Sequence, residues 1–167
     1  MRHIISILLQ NEAGALGRVA GLFSSRGYNI ESLSVAPTQN PLISRLTLVT
    51  LGSDSVIEQI NKQLRRLIDV VEVSDLSSHD HLECELLMLK VAVDTTSARH
   101  VVECVRHHRG QILDESENTR TVQFAGTAQE IETFLVELGK LAPVLELVRS
   151  GVAALQRGHT YLAMPVL

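Results

Sequence analysis

One pattern of elements occurs twice in this chain. "RGYNIES" begins at Arg26 and "RGQILDES" at Arg109, and each sets a glycine between a helical pattern and an alternating run. The spacing of about 80 residues is that of a duplicated supersecondary unit. In the first copy, residues 3–9 are an Ile- and Leu-rich strand. Residues 14–26 carry Leu16, Val19, Ala20 and Phe23 on one helical face. Residues 28–36 and 43–51 alternate and form a hairpin across "PTQNP". Ser55 and Glu58 have capping-box spacing before Ile57, Ile60 and Leu64, and residues 69–76 form a fourth strand. The second copy repeats this order. It has a strand at 86–93, a helix at 97–108, a hairpin of 111–115 with 121–125, a helix capped by Thr127 and Glu130, and a strand at 144–148. The expected class is α+β, with two ferredoxin-like βαββαβ units. The divisions read as residues 1–76, a polar linker at 77–82, a second unit at 83–158 and a tail at 159–167. In each unit two helices cover one sheet face. The other face or the edge strands need a cover, for which a second copy of the chain is expected.

Composition narrows the function. Hydrophobic residues make up 45% of the 167 and charged residues 20%, a globular balance. With a net charge of -4, 3% aromatics and no tryptophan, neither a basic nor a stacking surface for nucleic acid is expected. No apolar run reaches membrane-spanning length, and "MRHIISILLQNE" reads as a first strand rather than a leader. Cys84 and Cys104 lack CxxC spacing and read as buried thiols in a reducing cytoplasm. A disulfide between them is the alternative.

The stretch "NEAGALGRVAGLFSSRGYNIES", residues 11–32, leads from a strand through a glycine loop into a helix. A helix start offers unpaired N–H groups and the positive end of the dipole. Gly14 admits close approach, Ala15 and Gly17 keep the space small, and Asn29 adds an amide with donor and acceptor. This set suits an amino-acid zwitterion, but an ordinary tight turn would read the same way. A dinucleotide fits less well. Gly14, Gly17 and Gly21 are spaced G-x-x-G-x-x-x-G rather than G-x-G-x-x-G, and the next strand enters a hairpin instead of a parallel crossover.

The remaining candidates are weak. His79, Asp80 and His81 form "HDH" in the linker, and His107 and His108 close a helix; they read as lacking a helical i, i+4 partner or a fixed Cys/His array, and no metal site is expected. There is no GxSxG elbow or Walker loop. No catalytic residues are expected.

At this point the residues resemble a family. "NEAGALGRVAGLFSSRGYNIESLSVAPT" and "ISRLTLVTLGSDSVIEQINKQLRRLIDVVEVSDL" resemble the small, regulatory subunits of acetolactate synthase (acetohydroxyacid synthase). "ELLMLKV", "RGQILDES", "FAGT" and "VLELVRSGVAALQRG" extend the likeness to about residue 158. The resemblance implies an ACT domain in the first unit, which pairs with a second copy into one eight-stranded sheet and binds valine at that homodimer interface. Leucine and isoleucine stay open as effectors. By motif, Asn11, Gly14, Ala15 and Leu16 would form the ligand loop, and Asn29 and Ile30 would come from the paired subunit. Gly17 departs from the serine often found in relatives. The resemblance further implies a large catalytic subunit as partner, with thiamine diphosphate, Mg and FAD there and no cofactor in this chain. The small subunit would activate that enzyme and confer feedback inhibition in branched-chain amino acid synthesis. A free-standing amino-acid sensor with another partner is the alternative.

Overall fold

The computed structural model describes residues 1–163; the last four residues of the expected tail lie outside them. The chain packs as two units, Met1–Leu82 with the described residues from Val152, and Glu83–Gly151. The first contains β1 (Arg2–Gln10), α1 (Ala15–Ser25), β2 (Ser32–Pro37), β3 (Ile43–Leu51), α2 (Asp54–Leu64) and β4 (Val70–Asp75). Its antiparallel sheet has the order β2-β3-β1-β4. Alternate residues Ile5, Ile7 and Leu9 of β1, with Leu46 and Leu48 of β3, face Val19 and Phe23 of α1 and Ile57, Ile60 and Leu64 of α2. All are almost fully buried, and each such side chain contributes about 1.5–3 kcal/mol relative to exposure.

The second pattern is β5 (His81–Ala92), α3 (Ser97–His107), β6 (Gln111–Glu115), β7 (Thr119–Gly126), α4 (Ala128–Leu141) and β8 (Val144–Gln156). Its order, β6-β7-β5-β8, is the same when strands are matched by position. Leu87, Leu89 and Val91 point to Val101, Val105, Ile131, Phe134 and Leu138 of the helices. Leu86 and Met88 therefore point to the opposite face, where each is 37% exposed. Buried Glu85 is held by two bonds from Arg149, at 3.1 and 2.7 Å, and by the Gly151 N–H.

Several boundaries differ from the sequence reading. β2 starts at Ser32 rather than residue 28, because Gly27 turns the chain at φ +68 and Tyr28 and Ile30 then pack against the core. Residues 77–82 contain most of a 3-10 turn (Leu76–Ser78) and the start of β5. The last strand runs on from residue 148 through Ser150 and Gly151 to Gln156. Gly151, at φ +80, accommodates the bend there. In the first unit, Val152 and Ala154 bury against Ile4, Val49 and Leu76 on the sheet face away from the helices. That face was assigned to a second copy, but part of it is covered by the chain itself.

The two capping expectations came out differently. Thr127 and Glu130 form the full box, with Glu130 Oε2 accepting from the Thr127 N–H at 2.7 Å. Thr127→Ala is expected to cost about 1 kcal/mol, measured by urea unfolding; an unchanged midpoint would mean that Glu130 closes the helix alone. The Ser55–Glu58 box does not form. α2 starts two residues earlier behind Ser53, and Glu58 pairs instead with Lys62 at 2.6 Å. Among the described residues no helix is long and apolar enough to cross a membrane.

Candidate functional site

The glycine loop leaves β1 beside the start of β3. Gln10 pairs with Ile43, and its N–H also bonds Asp69 O at 2.8 Å. Asn11 is clamped here: its N–H donates to Leu42 O at 2.8 Å and its side-chain amide to Pro41 O at 2.9 Å. Asn11 thus fixes the loop against the β2–β3 turn. Gly14 is the N-cap of α1, at φ +89 and ψ -15, and no side chain caps the helix. The Ala15 N–H donates to Glu12 O at 3.2 Å, so the first-turn N–H groups after it are the ones a carboxylate could use.

The other loop residues divide by burial. Ala15 is 2% exposed and belongs to the core, so only its backbone faces the loop. Leu16 is 37% exposed. A β-carbon at Gly17 would meet nothing within 4 Å, so the glycine there answers no steric need.

Arg18 was missed in the sequence. It stands one turn after Gly14, and its Nη1 lies 3.0 Å from where a Gly14 β-carbon would be. Its guanidinium binds Asp69 in bidentate fashion, Nε to Oδ2 and Nη2 to Oδ1, the second at 2.8 Å. The Arg18 hydrogen bond holds the Asp69 carboxyl below its usual range. The available signal was the i+4 spacing from Gly14, which sets a long cation over the first helical turn.

Asn29 and Ile30 are not near this loop in the same chain. Asn29 O accepts from Thr50 Oγ1 at 2.6 Å, and its exposed amide donates to Glu31 Oε1 at 2.6 Å. Thr50 pairs with His3, at the far end of β1 from Gln10. Seven residues of strand separate the two levels in the pairing register, roughly 24 Å at the usual rise. The glycine loop and Asn29 therefore lie at opposite ends of the sheet within one chain. β2, which follows Asn29, is an outer strand of that sheet.

The corresponding helix start in the second unit is filled. Asp94 Oδ1 accepts from Thr96 N at 2.9 Å, Ser97 N at 2.7 Å and Ser97 Oγ at 2.9 Å. The Ser97 N–H leads in holding this carboxyl below its ordinary value. The second unit supplies a side-chain anion there; in the first, no side chain caps the helix and the Ala15 N–H donates to Glu12 O at 3.2 Å.

The linker histidines are engaged with the protein. His79 Nδ1 lies 2.9 Å from Ser78 Oγ, His81 Nδ1 lies 2.9 Å from His79 O, and Asp80 pairs with Arg157 at 3.0 Å.

Comparison with known proteins places this geometry. Residues 5–72 match the family described as the AHAS small subunit-like ACT domain, and residues 84–158 match the family described as the small subunit of acetolactate synthase. The acetolactate synthase isozyme 3 small subunits of Salmonella typhimurium and Escherichia coli are each 48% identical over 158 residues, 95% of this chain and 97% of theirs. The crystal structure of the acetolactate synthase small subunit from Thermotoga maritima superposes with a TM-score of 0.87 at 32% identity, covering 96% of this chain and 99% of that one. The chain belongs to the family of acetolactate synthase small subunits.

Proposed function

We propose that the chain is a non-catalytic regulatory subunit, which activates the thiamine-diphosphate-dependent large subunit of acetolactate synthase in the cytoplasm and makes it sensitive to valine. Valine binds between two copies of the first unit. The observation that carries this reading is the separation of the half-sites on a sheet with β2 at its edge.

An outer strand invites pairing with another strand. When two copies of β2 pair antiparallel about a twofold axis, the start of one lies beside the end of the other. The end of β2, Pro37, pairs with Ser44, next to the Gln10–Ile43 level from which the glycine loop departs. Asn29 of the partner subunit is thereby brought towards Gly14. The ligand carboxylate meets the uncapped N–H groups and the Arg18 side of the loop. Its ammonium meets carbonyl oxygens, and Ile30 of the partner subunit adds apolar surface for a branched side chain.

Such a ligand stabilises the paired arrangement by mass action. It inhibits only if it binds the less activating state of the holoenzyme more tightly, a tenfold preference corresponding to about 1.4 kcal/mol. Acetolactate formation is the direct test. Adding this chain to the large subunit raises the rate, and valine then lowers it. A rate that ignores the chain would instead favour a free-standing sensor.

Asn29→Ala separates binding from folding. The amide is exposed and bonds only to its neighbour Glu31 among the contacts above, so the melting temperature should stay within a degree or so, surface changes being worth under about 0.5 kcal/mol. Valine affinity should fall about tenfold, as for a lost hydrogen bond to a charged group. A lower melting temperature with unchanged affinity would make Asn29 a structural residue.

A further inference from the structure

The second unit brings together three side chains that the sequence reading treated separately. Cys104 and His108 lie one turn apart near the end of α3, and Glu137 stands on α4. The thiol sulfur, a ring nitrogen of His108 and a carboxylate oxygen of Glu137 all lie within 4.8 Å of one another. His108 Nε2 is 2.7 Å from Glu137 Oε2. The imidazole is held by ring contacts, its centroid 5.3 Å from that of Phe134 and 5.2 Å from that of His107. Its side chain is 15% exposed, whereas Glu137 is 47% exposed, so the cluster opens to water at the carboxylate.

We infer that Cys104, His108 and Glu137 form a binding site for a borderline-soft divalent cation, zinc by its chemistry. Thiolate, imidazole and carboxylate are the donors zinc accepts, whereas calcium and magnesium select oxygen alone. Donors on a tetrahedral zinc, at bonds of about 2.0–2.3 Å, stand roughly 3.3–3.7 Å apart. The cluster reaches that spacing when the thiol closes by about an ångström and the His108–Glu137 bond opens by somewhat less. Rotation about side-chain bonds on two helix surfaces supplies such shifts. Three protein donors leave the fourth position to water.

The surrounding charges set what a metal must overcome. Burial first, and then Glu137, push the Cys104 thiol up. A nucleophilic cysteine needs the opposite. A dication reverses the position: the S–H bond breaks, a sulfur–metal bond forms, and the proton leaves to solvent. Lys140 and His107 also face Glu137, and their positive charge opposes the metal. Imidazole orientation by Phe134 and His107 acts as outer-shell support. Bound metal would tie the end of α3 to α4. The expectation of no metal drawn from sequence overlooked the i, i+4 relation of Cys104 and His108.

Cobalt(II) titration of the full chain, freed of metal by chelator, tests the site. One equivalent is expected to produce the thiolate-to-cobalt charge-transfer band and tetrahedral d–d bands, both lost when zinc is added. Cys104→Ser should abolish the charge-transfer band, and Cys84→Ser should leave it. Glu137→Gln, on a half-exposed side chain that leaves the packing intact, should weaken cobalt binding by at least about tenfold. Far-UV circular dichroism checks folding, and if Cys104→Ser unfolds, Glu137→Gln decides. Absence of the band in the parent, its survival in folded Cys104→Ser, or unchanged affinity in Glu137→Gln overturns the inference.

Discussion

A Gly14→Asp variant is expected to give no calorimetric signal at valine concentrations that saturate the parent. The loss is at least about a hundredfold, about 2.7 kcal/mol. Three effects combine. Gly14 sits at φ +89, where a residue with a β-carbon costs about 1–2 kcal/mol. The new β-carbon would stand 3.0 Å from Arg18 Nη1, and that guanidinium is already anchored on Asp69. Most of the loss comes from charge. A carboxylate at the helix start repels the ligand's own, and as an N-cap side chain it can itself accept from first-turn N–H groups. Gly14→Ala separates backbone strain from charge and should fall between the parent and the aspartate variant. A folded Gly14→Asp protein with parental affinity would remove the glycine loop from the site.

The second large effect is a recovery. Chains carrying Gly14→Asp and chains carrying Asn29→Ala each bind valine poorly as homodimers. In a mixed dimer, one site takes its glycine loop from the Asn29→Ala chain and its asparagine from the Gly14→Asp chain. That site is wild type in every residue, and the other carries both defects. Unfolding the two variants together and refolding them should restore one parental-affinity site per mixed dimer. Native mass spectrometry verifies that mixed dimers form. If they form and bind no better than the homodimers, the two half-sites do not meet between chains. This follows from the register, which puts Gln10 opposite Ile43 and Thr50 opposite His3 in the same sheet. No side-chain rearrangement within a subunit bridges that span.

Much of this architecture was legible in the sequence. Helical spacing of Val19 and Phe23, alternation along Ile43–Leu51, and the Thr127–Glu130 box reflect local physics, and each element formed where its pattern lay. The errors fell where tertiary contacts outweighed local preference. The sequence reading ended the last strand at residue 148, yet Ser150 Oγ accepts from Leu86 N at 3.0 Å and the Gly151 N–H reaches Glu85. Tyr28 and Ile30 look like strand residues but spend their side chains on the core after the Gly27 turn.

The candidate site divides in the same way. Sequence alone determined that a glycine loop opens α1, because that property depends on residue type and near neighbours. Only the tertiary structure decided that Asn11 is a clamp, that Ala15 belongs to the core, and that Arg18 stands over the loop with Asp69. It also decided that Asn29 lies at the far end of the sheet, and that Cys104, His108 and Glu137 converge. Such facts depend on strand register and helix packing, which join residues far apart in the chain; the only local traces are the i, i+4 spacings of Gly14 with Arg18 and of Cys104 with His108.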